Sequence, residues 1–587
     1  MEMTNDQGEV SIFKYSTLPD ASTHIRLLKV TSAEDGGIVE CTISYFSIEF
    51  APPYNAISYT WGDATATSII TLNGQKVTVR KNCDNVLRQA FWNVQSQYVW
   101  IDALCINQDD IPEKNVQVAM MGRIYKSVQR VLACVGSHDD DSEYLMQVLR
   151  DNEHFYTSVW KELEKIDWMD EWVYSQEPPY HLGWAICRWL LQYPSSRLFQ
   201  AHDRFFERSY FSRVWIVQEL FMADDAVVCC GTDSVPYHSL AGHVWMVKHI
   251  ERSGRYDLPA TIGIYGSHRK LGTLAHIILQ RARQHQGRGE HARIVDDNNS
   301  MIMLGSRTSS QLMPFDRCII RTCHFLSQDP RDKVYAVLAM VDWQSQNPIF
   351  PNYHKSTFDL ALGIVETYVG SADFTDLKDW VMLLVTTLRL DEMDSHVKTR
   401  LDTLSSNDTT LSSLDISPDK SAARTRLQVC IEAYPLMLRA MGSDNIKNGF
   451  YVDGGSNRTG PNMIGPLLDF GGVREGDCVI QFDDIDGRCL VVVREQFDGS
   501  YALLGYTAFE VARVLHSQPK PMLLQVSFDT EDLIMYAILQ AKLEHLAEER
   551  EHDLAVCELR KLMSGRRFCR YEGSSYAVRA TEDHTLK

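Results

Sequence analysis

The first 235 residues alternate between short runs of apolar, often β-branched residues and longer stretches with helical spacing. Each short run ends in a polar or glycine-containing turn, which is typical of a β-strand. The four clearest runs are residues 56–60, 98–101, 131–135 and 226–230. Between the second and third runs, apolar residues occupy every fourth position from Val116 to Val128, which predicts a helix. Strands that alternate with helices predict an α/β domain with a parallel sheet.

The rest of the chain divides into segments of different composition. Residues 138–210 interrupt the alternation with an acidic start and a tryptophan-rich sequence, and they predict a helical insert. Near the C-terminus, Asp-Gly turns separate three apolar runs, which favours a β-meander. The predicted parts are N-terminal lead-in strands (1–49), the α/β domain (50–235), a mostly helical middle region (236–402), a flexible linker (403–423) and a C-terminal α+β region with a small β unit (424–587).

Composition and charge restrict the function. The length of 587 residues predicts several domains, and the formal net charge of −19 provides no general positive field, so nucleic acid is not an expected partner. The N-terminus is polar and acidic, and no apolar run is long enough to span a membrane. We therefore expect a cytoplasmic protein, with the nucleus and peripheral membrane contact as alternatives. The 14 cysteines form no CxxC pair, which predicts free thiols and no metal site.

Polar residues that follow the predicted strands are the first candidates for a ligand site. Trp61, Gly62 and Asp63 follow the first run, and Asp102 and Asn107 follow the second. In an open α/β sheet, ligands bind at the carboxyl ends of the strands, so these residues are expected at one edge. Two alternatives stay open at this point: the aspartates cap turns, and Trp61 is a core residue.

A further candidate lies on a predicted helix that starts at Ser212 as its N-cap. Trp215 and Glu219 are four positions apart and share one face of this helix. A carboxylate beside an indole on an apolar helix is partly desolvated, which is unusual for a surface glutamate. The alternative is a carboxylate that pairs with a nearby arginine or backbone amide. The sequence contains no P-loop, HExxH, Ser-His-Asp order or GxGxxG context.

Three segments resemble the signature blocks of the fungal heterokaryon incompatibility (HET) domain. They are residues 54–63, residues 100–109 with Met120, Met121, Ile124 and Tyr125 behind them, and residues 213–220. Residues 329–336, 476–477 and 498–501 are similar to segments that follow the domain in long members of this family. The resemblance implies a protein of non-self recognition that triggers programmed cell death when it meets an incompatible partner protein.

HET domains are in turn remotely similar to Toll/interleukin-receptor (TIR) domains. This similarity implies a flavodoxin-like parallel sheet with helices on both faces. It assigns to Glu219 the catalytic role in hydrolysing NAD to nicotinamide and ADP-ribose, with NAD as substrate and with neither cofactor nor metal. It also implies that the chain forms a homo-oligomer on activation. The substrate-binding candidates are Trp61, Gly62, Asp63, Asp102, Asn107 and Trp215.

Two other functions compete with this one. In the first, the HET domain is a non-catalytic module that assembles with a partner and signals without chemistry. In the second, a metabolic or regulatory protein uses the same scaffold for another nucleotide.

Overall fold

A computed structural model shows two compact units, Met1–Lys355 and Ser356–Lys587. The residues that the structure describes are 2–4, 10–34, 36–93, 98–165, 180–192, 196–253, 294–295, 301–302, 312–343, 347–368, 374–390, 426–433, 436–440, 450–452, 462–463, 468–469, 476–480, 489–497, 501–508 and 522–548.

The first unit is built on a mixed sheet of nine strands. Two small strands, β1 (Glu2–Thr4) and β2 (Val10–Ile12), pair with each other before it. The strands of the large sheet are β3 (His24–Ser32), β4 (Glu40–Ser47), β5 (Tyr54–Tyr59), β6 (Thr67–Leu72), β7 (Gln75–Arg80), β8 (Tyr98–Trp100), β9 (Arg130–Cys134), β10 (Ala226–Cys230) and β11 (Asp233–Pro236). Their spatial order is β11-β10-β9-β5-β8-β3-β4-β6-β7.

The four strands predicted from the sequence form the parallel centre of this sheet. β5 pairs in parallel with β8 on one side and with β9 on the other, and β10 pairs in parallel with β9. All six residues of β5 are buried, as expected for a parallel strand that is covered on both faces. The α/β class and the parallel strands are therefore confirmed.

The sheet as a whole is mixed, which differs from the purely parallel sheet predicted. β3 pairs antiparallel with both β8 and β4, and the β6–β7 hairpin extends that side. Residues 24–47, which the sequence suggested as a lead-in, are thus part of the same sheet. The reason is local: β3 and β4 form an antiparallel pair, which needs only a short connection rather than a crossover helix.

Helices cover this sheet and form the insert. The helices of the domain are α1 (Lys81–Asn93), α2 (Asp102–Cys105), α3 (Ile111–Lys126), α4 (Ser142–Asp151), α5 (Glu153–Lys165), α6 (Tyr180–Gln192), α7 (Ser196–Phe206), α8 (Trp215–Met222) and α9 (Tyr237–Ser253). The α3 helix starts where Asp110 accepts a hydrogen bond from the Glu113 amide at 3.0 Å, with a proline in its first turn. The insert is helical in the residues described, as predicted.

Residues 312–355 complete the first unit. They contain α10 (Phe315–Thr322), α11 (Asp332–Tyr335) and a 3-10 turn at Leu338–Met340. Leu326 forms a parallel bridge with Arg213, which places this segment beside the start of α8. A Cβ atom added to Gly122 of α3 would lie 2.2 Å from Cβ of Ala339, so the segment also touches α3 at a point where only glycine fits.

The short strands β12 (Ile294–Val295) and β13 (Met301–Ile302) pair antiparallel.

The second unit combines helices with a largely antiparallel sheet. Its helices are α12 (Thr357–Tyr368), α13 (Phe374–Thr387) and α14 (Thr530–Glu548). Its strands are β14 (Arg426–Ala433), β15 (Leu436–Ala440), β16 (Phe450–Val452), β17 (Asn462–Met463), β18 (Leu468–Asp469), β19 (Cys478–Ile480), β20 (Cys489–Glu495), β21 (Tyr501–Ala508) and β22 (Met522–Asp529). β19, β20 and β21 pair antiparallel in succession, which confirms the predicted meander.

Some predicted features lie outside the described residues. These are the linker at 403–423 and the Asp-Gly turns at 486–487 and 498–499. Within the described ranges, no helix is both long and apolar enough to cross a lipid bilayer.

Candidate functional site

The Glu219 carboxylate lies at the centre of a buried polar cluster. Glu219 is only 2% exposed. Its Oε2 accepts a short hydrogen bond from Oγ of Ser58 on β5. The Tyr125 hydroxyl on α3 donates to Ile57 O at 3.5 Å and lies close enough to lower the pKa of the Glu219 carboxyl. The Tyr210 hydroxyl lies 2.8 Å from Ser58 Oγ. When Glu219 is ionised, Ser58 gives it its one hydroxyl hydrogen, so Tyr210 must be the donor to Ser58.

The Arg213 guanidinium interacts electrostatically with two carboxylates of this cluster, Glu219 and Asp102. Arg213 Nη2 lies 3.8 Å from Glu219 Oε1. Burial raises the pKa of Glu219, and Arg213 and Ser58 offset only part of the rise. Burial likewise raises the pKa of Asp102 against the opposing effects of Arg213 and Trp61. Burial lowers the pKa of Arg213, but Glu219 and Asp102 outweigh this effect and raise it.

Two buried polar atoms near this cluster have unused hydrogen-bonding capacity. Nη1 of Arg213 and Oγ1 of Thr60 are buried and have no hydrogen-bond partner among the described residues. Thr60 follows β5 directly, two residues after Ser58. Buried polar atoms are normally satisfied, so these two unsatisfied atoms, of which Arg213 Nη1 belongs to a side chain beside Glu219, are a feature that a polar ligand could complete.

Trp61, Gly62 and Asp102 are brought together, as the sequence predicted. The Trp61 indole donates to Asp102 Oδ2 at 3.0 Å, and the Arg80 guanidinium lies 5.2 Å from the centre of the Trp61 ring. Gly62 has a φ of +75°, and a Cβ there would lie 2.5 Å from Asn82 Nδ2. Glycine is thus required for the turn that aims the indole at Asp102.

Asp63 and Asn107 make their described contacts within their own loops. The Asp63 carboxylate is exposed and accepts from the backbone amide and the hydroxyl of Thr65 at 2.9 and 2.8 Å. This is the turn-capping alternative noted for the aspartates. The Asn107 amide donates to Glu113 Oε1 at 2.9 Å, and its side chain accepts from the Asp109 amide at 3.4 Å.

The predicted start of the Glu219 helix is wrong. Ser212 does not cap α8: it lies in a 3-10 turn, Ser209–Ser212, and its hydroxyl donates to Ser209 O at 2.8 Å. The physical reason is that Arg213 is extended, with φ −73° and ψ 135°, and pairs with Leu326. The helix therefore begins only at Trp215, whose indole lies close to Asp332 and lowers the pKa of its carboxyl.

Sequence reasoning missed several members of the cluster. Ser58, Tyr125 and Arg213 lie inside the three signature blocks, so their positions carried a signal that was not used. Asp332 lies in the segment 329–336, whose resemblance to long family members was noted without a role for the residue, and Tyr210 lies outside all of these segments. Over the ranges described, no group of three or more His, Cys, Asp or Glu side chains is arranged to hold a metal ion.

The fold and the cluster together define an α/β domain with a buried carboxylate site at the ends of its parallel strands. Residues 54–219 match the family model described as heterokaryon incompatibility protein (HET). The chain is also 31% identical over 244 residues to heterokaryon incompatibility protein 6, OR allele, of Neurospora crassa, and the match covers 38% of this chain and 35% of that protein. Residues 54–219 of the chain thus form a HET domain. It spans about a third of the length of this curated relative. No solved structure is significantly similar to it.

Proposed function

We propose that this protein acts in heterokaryon incompatibility, the recognition of non-self in fungi, and that its HET domain triggers cell death by hydrolysing NAD to nicotinamide and ADP-ribose. Glu219 is the catalytic residue in this proposal. The observation that carries it is the position of the Glu219 carboxylate, which is hydrogen-bonded to Ser58 in the central strand β5.

The strand order supports a nucleotide site at this position. β5, β8, β9 and β10 are the first to fourth parallel strands along the chain, and they stand side by side as β8-β5-β9-β10. This is the 2-1-3-4 order of flavodoxin-like sheets. In such sheets ligands bind at the carboxyl ends of the first and third strands, where the strand order reverses. The order also supports the proposed remote similarity to TIR domains.

A single carboxylate suits the proposed reaction. Cleavage of the nicotinamide–ribose bond develops an oxocarbenium-like cation on the ribose. Nicotinamide leaves with the electron pair of the broken bond as a neutral molecule, so no general acid is needed. Water then adds to the ribosyl cation, forms the hydroxyl group of ADP-ribose and releases its other proton to the solvent. An anion next to the ribose stabilises the developing charge. Ribose hydroxyls would replace the Ser58 hydroxyl that donates to Glu219, and Arg213 Nη1 and Thr60 Oγ1 have unused hydrogen-bonding capacity.

The burial of Glu219 requires a conformational step before NAD can bind. With 2% of the residue exposed, a ribose cannot reach the carboxylate in this conformation. In the proposal, an incompatible partner protein or self-association opens the site, as lid movements do in other enzymes. The Glu219 carboxylate would then already be oriented to accept hydrogen bonds from the ribose hydroxyls.

A second candidate function follows from the same burial. A carboxylate enclosed by Ser58, Tyr125 and Arg213 also holds α8 against β5 without any chemistry. In that case, the HET domain is an assembly module that signals through a partner.

The test is nicotinamide release from NAD by the purified full-length protein over a wide range of protein concentration. Glu219→Gln is the central variant, because glutamine retains an oxygen that can accept from Ser58. Glu49→Gln, at a side chain that is 68% exposed, is the matched control. Release that is lost in Glu219→Gln alone supports the enzyme. Release that is equal in all three proteins removes Glu219 from the mechanism, and no release at any concentration favours the assembly module.

A further inference from the structure

The helix that carries Glu219 is held at its start by a segment outside the matched domain. We infer that Lys333 and Asp332 are positioning residues: they fix the first turn of α8, and through it Arg213 and Glu219. The matched domain ends at residue 219, whereas this segment spans residues 323–353. The catalytic consequence rests on the proposed function, but the positioning itself can be tested without it.

The backbone of Leu326 takes the place of a helix cap. No side chain of the described residues caps α8, whose N-cap position is Val214. Instead the Val214 amide donates to Leu326 O at 2.9 Å, and the Leu326 amide donates to Ser212 O at 2.5 Å. A helix start leaves amides without partners, and here a distant carbonyl accepts from one of them. Arg213 lies between the two residues that Leu326 binds, so Leu326 sets the position of its backbone.

Lys333 shapes the turn that presents Leu326. Its side chain is buried, with 6% of the residue exposed. The ammonium group donates to Cys323 O at 2.6 Å and, in a shorter contact, to Phe325 O. Hydrogen bonds from a charged donor are stronger than neutral ones, and the two acceptors lie three positions and one position before Leu326. Lys333 therefore directs these two carbonyls toward its ammonium group. The backbone of Leu326, next in the turn, then pairs with Ser212 and Val214 at the start of α8.

Asp332 holds the first residue of α8 from the side. Its carboxylate accepts a hydrogen bond from the Tyr353 hydroxyl at 2.7 Å, and the Trp215 indole lies close enough to lower the pKa of this carboxyl. Tyr353 is anchored in turn, because its amide donates to Asn115 Oδ1 on α3 at 2.9 Å. Arg331 donates to Tyr353 O at 2.7 Å. The chain of contacts from α3 through Tyr353 and Asp332 to Trp215 braces α8 against a neighbouring helix.

The experiment measures hydrogen exchange in the full-length protein. Trp215→Phe removes the indole N–H beside Asp332 and retains an aromatic ring, and Lys333→Met removes the ammonium group. Trp245→Phe is the matched control, because the Trp245 indole nitrogen has no hydrogen-bond partner among the described residues. We expect amides of residues 214–222 to exchange about tenfold faster in the first two variants, with β5 and β9 unchanged. The control should match the wild type in α8.

Two exchange results would overturn the inference. One is wild-type exchange in α8 in both Trp215→Phe and Lys333→Met. The other is an equal increase in β5, β9 and α8, because that pattern indicates general loss of stability rather than positioning. Should Lys333→Met fail to fold, Trp215→Phe decides by itself.

NAD turnover separates this inference from the proposed function. If the wild type cleaves NAD, Trp215→Phe should lower kcat about tenfold and leave KM nearly unchanged, because the brace aligns Glu219 rather than binding the substrate. An unchanged kcat with faster exchange in α8 would overturn the catalytic consequence. If the wild type does not cleave NAD, the proposed function fails, and the exchange data still decide whether the brace exists.

Discussion

The Ser58 hydroxyl donates a hydrogen bond to the Glu219 carboxylate, although 161 positions separate the two residues along the chain. Ser58 lies in the first signature block and Glu219 in the last, near the two ends of the family match at 54–219. The fold therefore joins the first and last blocks of the family pattern in one buried contact. A pattern spread over the whole domain thus describes one site.

Ser58→Ala should destabilise the protein. The substitution removes the hydroxyl that donates to Glu219 and lies next to Tyr210, and it leaves buried polar atoms without a partner. We expect the free energy of unfolding to fall by about 1–3 kcal/mol, measured by urea denaturation. Ser22→Ala is the control, because its hydroxyl bonds to Asp20 at the surface. Equal effects of the two substitutions would argue against a structural role for the Ser58–Glu219 contact.

The regular part of the fold could be predicted because it follows local patterns. The central strands show as apolar runs, and residues after neighbouring parallel strands must lie at one edge, so the meeting of Trp61 and Asp102 followed from position alone. The same rule also selected Asp63, whose side chain instead turns back to Thr65. Sequence position places a residue at an edge but does not set the direction of its side chain.

The remaining part of the site depends on contacts between distant segments. Tyr210 reaches Ser58 on β5 from the insert. Asp332 lies close to Trp215 of α8 from a segment beyond the matched domain. No periodicity in the sequence records such contacts. The start of α8 was misplaced for the same reason, since Leu326 keeps Arg213 extended. Pairing with a distant segment overrode the local signal of a serine before an apolar helix.

If the protein hydrolyses NAD as proposed, substitutions of Asp102 and Asp63 should differ in their effect on turnover. Asp102 shares Arg213 with Glu219 and accepts from the Trp61 indole, whereas Asp63 is exposed in its own turn. We expect Asp102→Asn to lower kcat/KM at least about tenfold and Asp63→Asn to change it by less than about twofold. Thermal unfolding of both variants checks that they are folded. A larger loss in Asp63→Asn would place the substrate at the turn rather than at the buried cluster.

Gly62→Ala should cost more stability than Gly74→Ala. Both glycines have a positive φ, +75° and +78°, so alanine is strained at either position. Only at Gly62 does the added Cβ also collide with a side chain, at 2.5 Å from Asn82 Nδ2, whereas nothing lies within 4 Å at Gly74. We expect a loss of about 1 kcal/mol at Gly74 and clearly more at Gly62, measured by urea denaturation. If the two losses are equal, the Asn82 side chain moves aside freely and the turn does not require glycine for space.

Gly122→Ala and Gly363→Ala should have effects of opposite sign. Both glycines are in helices, where alanine is favoured by about 1 kcal/mol. At Gly363 nothing lies within 4 Å of the added Cβ, so we expect slower hydrogen exchange in α12. At Gly122 the added Cβ would lie 2.2 Å from Ala339, so overpacking should outweigh the propensity and increase exchange in α3. Slower exchange in α3 of Gly122→Ala would mean that residues 338–340 do not pack tightly on this helix.

The pH dependence of stability should reveal the buried carboxyl of Asp332. Burial raises its pKa from 3.8 to about 6, assisted by Asp329 and opposed by Tyr353, Trp215 and Lys114. Between these two pH values the folded protein keeps a proton that the unfolded chain releases, so this residue makes stability fall as pH rises from about 4 to about 6, and the effect is constant above that. Relative to Asp332→Asn, the wild type should therefore lose up to about 3 kcal/mol across that window. Urea denaturation of both proteins at pH 4, 5, 6 and 7 measures the difference. A difference that stays constant over this range would show that Asp332 is ionised throughout, and a wild type that gains stability relative to the variant would reverse the sign of its pKa shift.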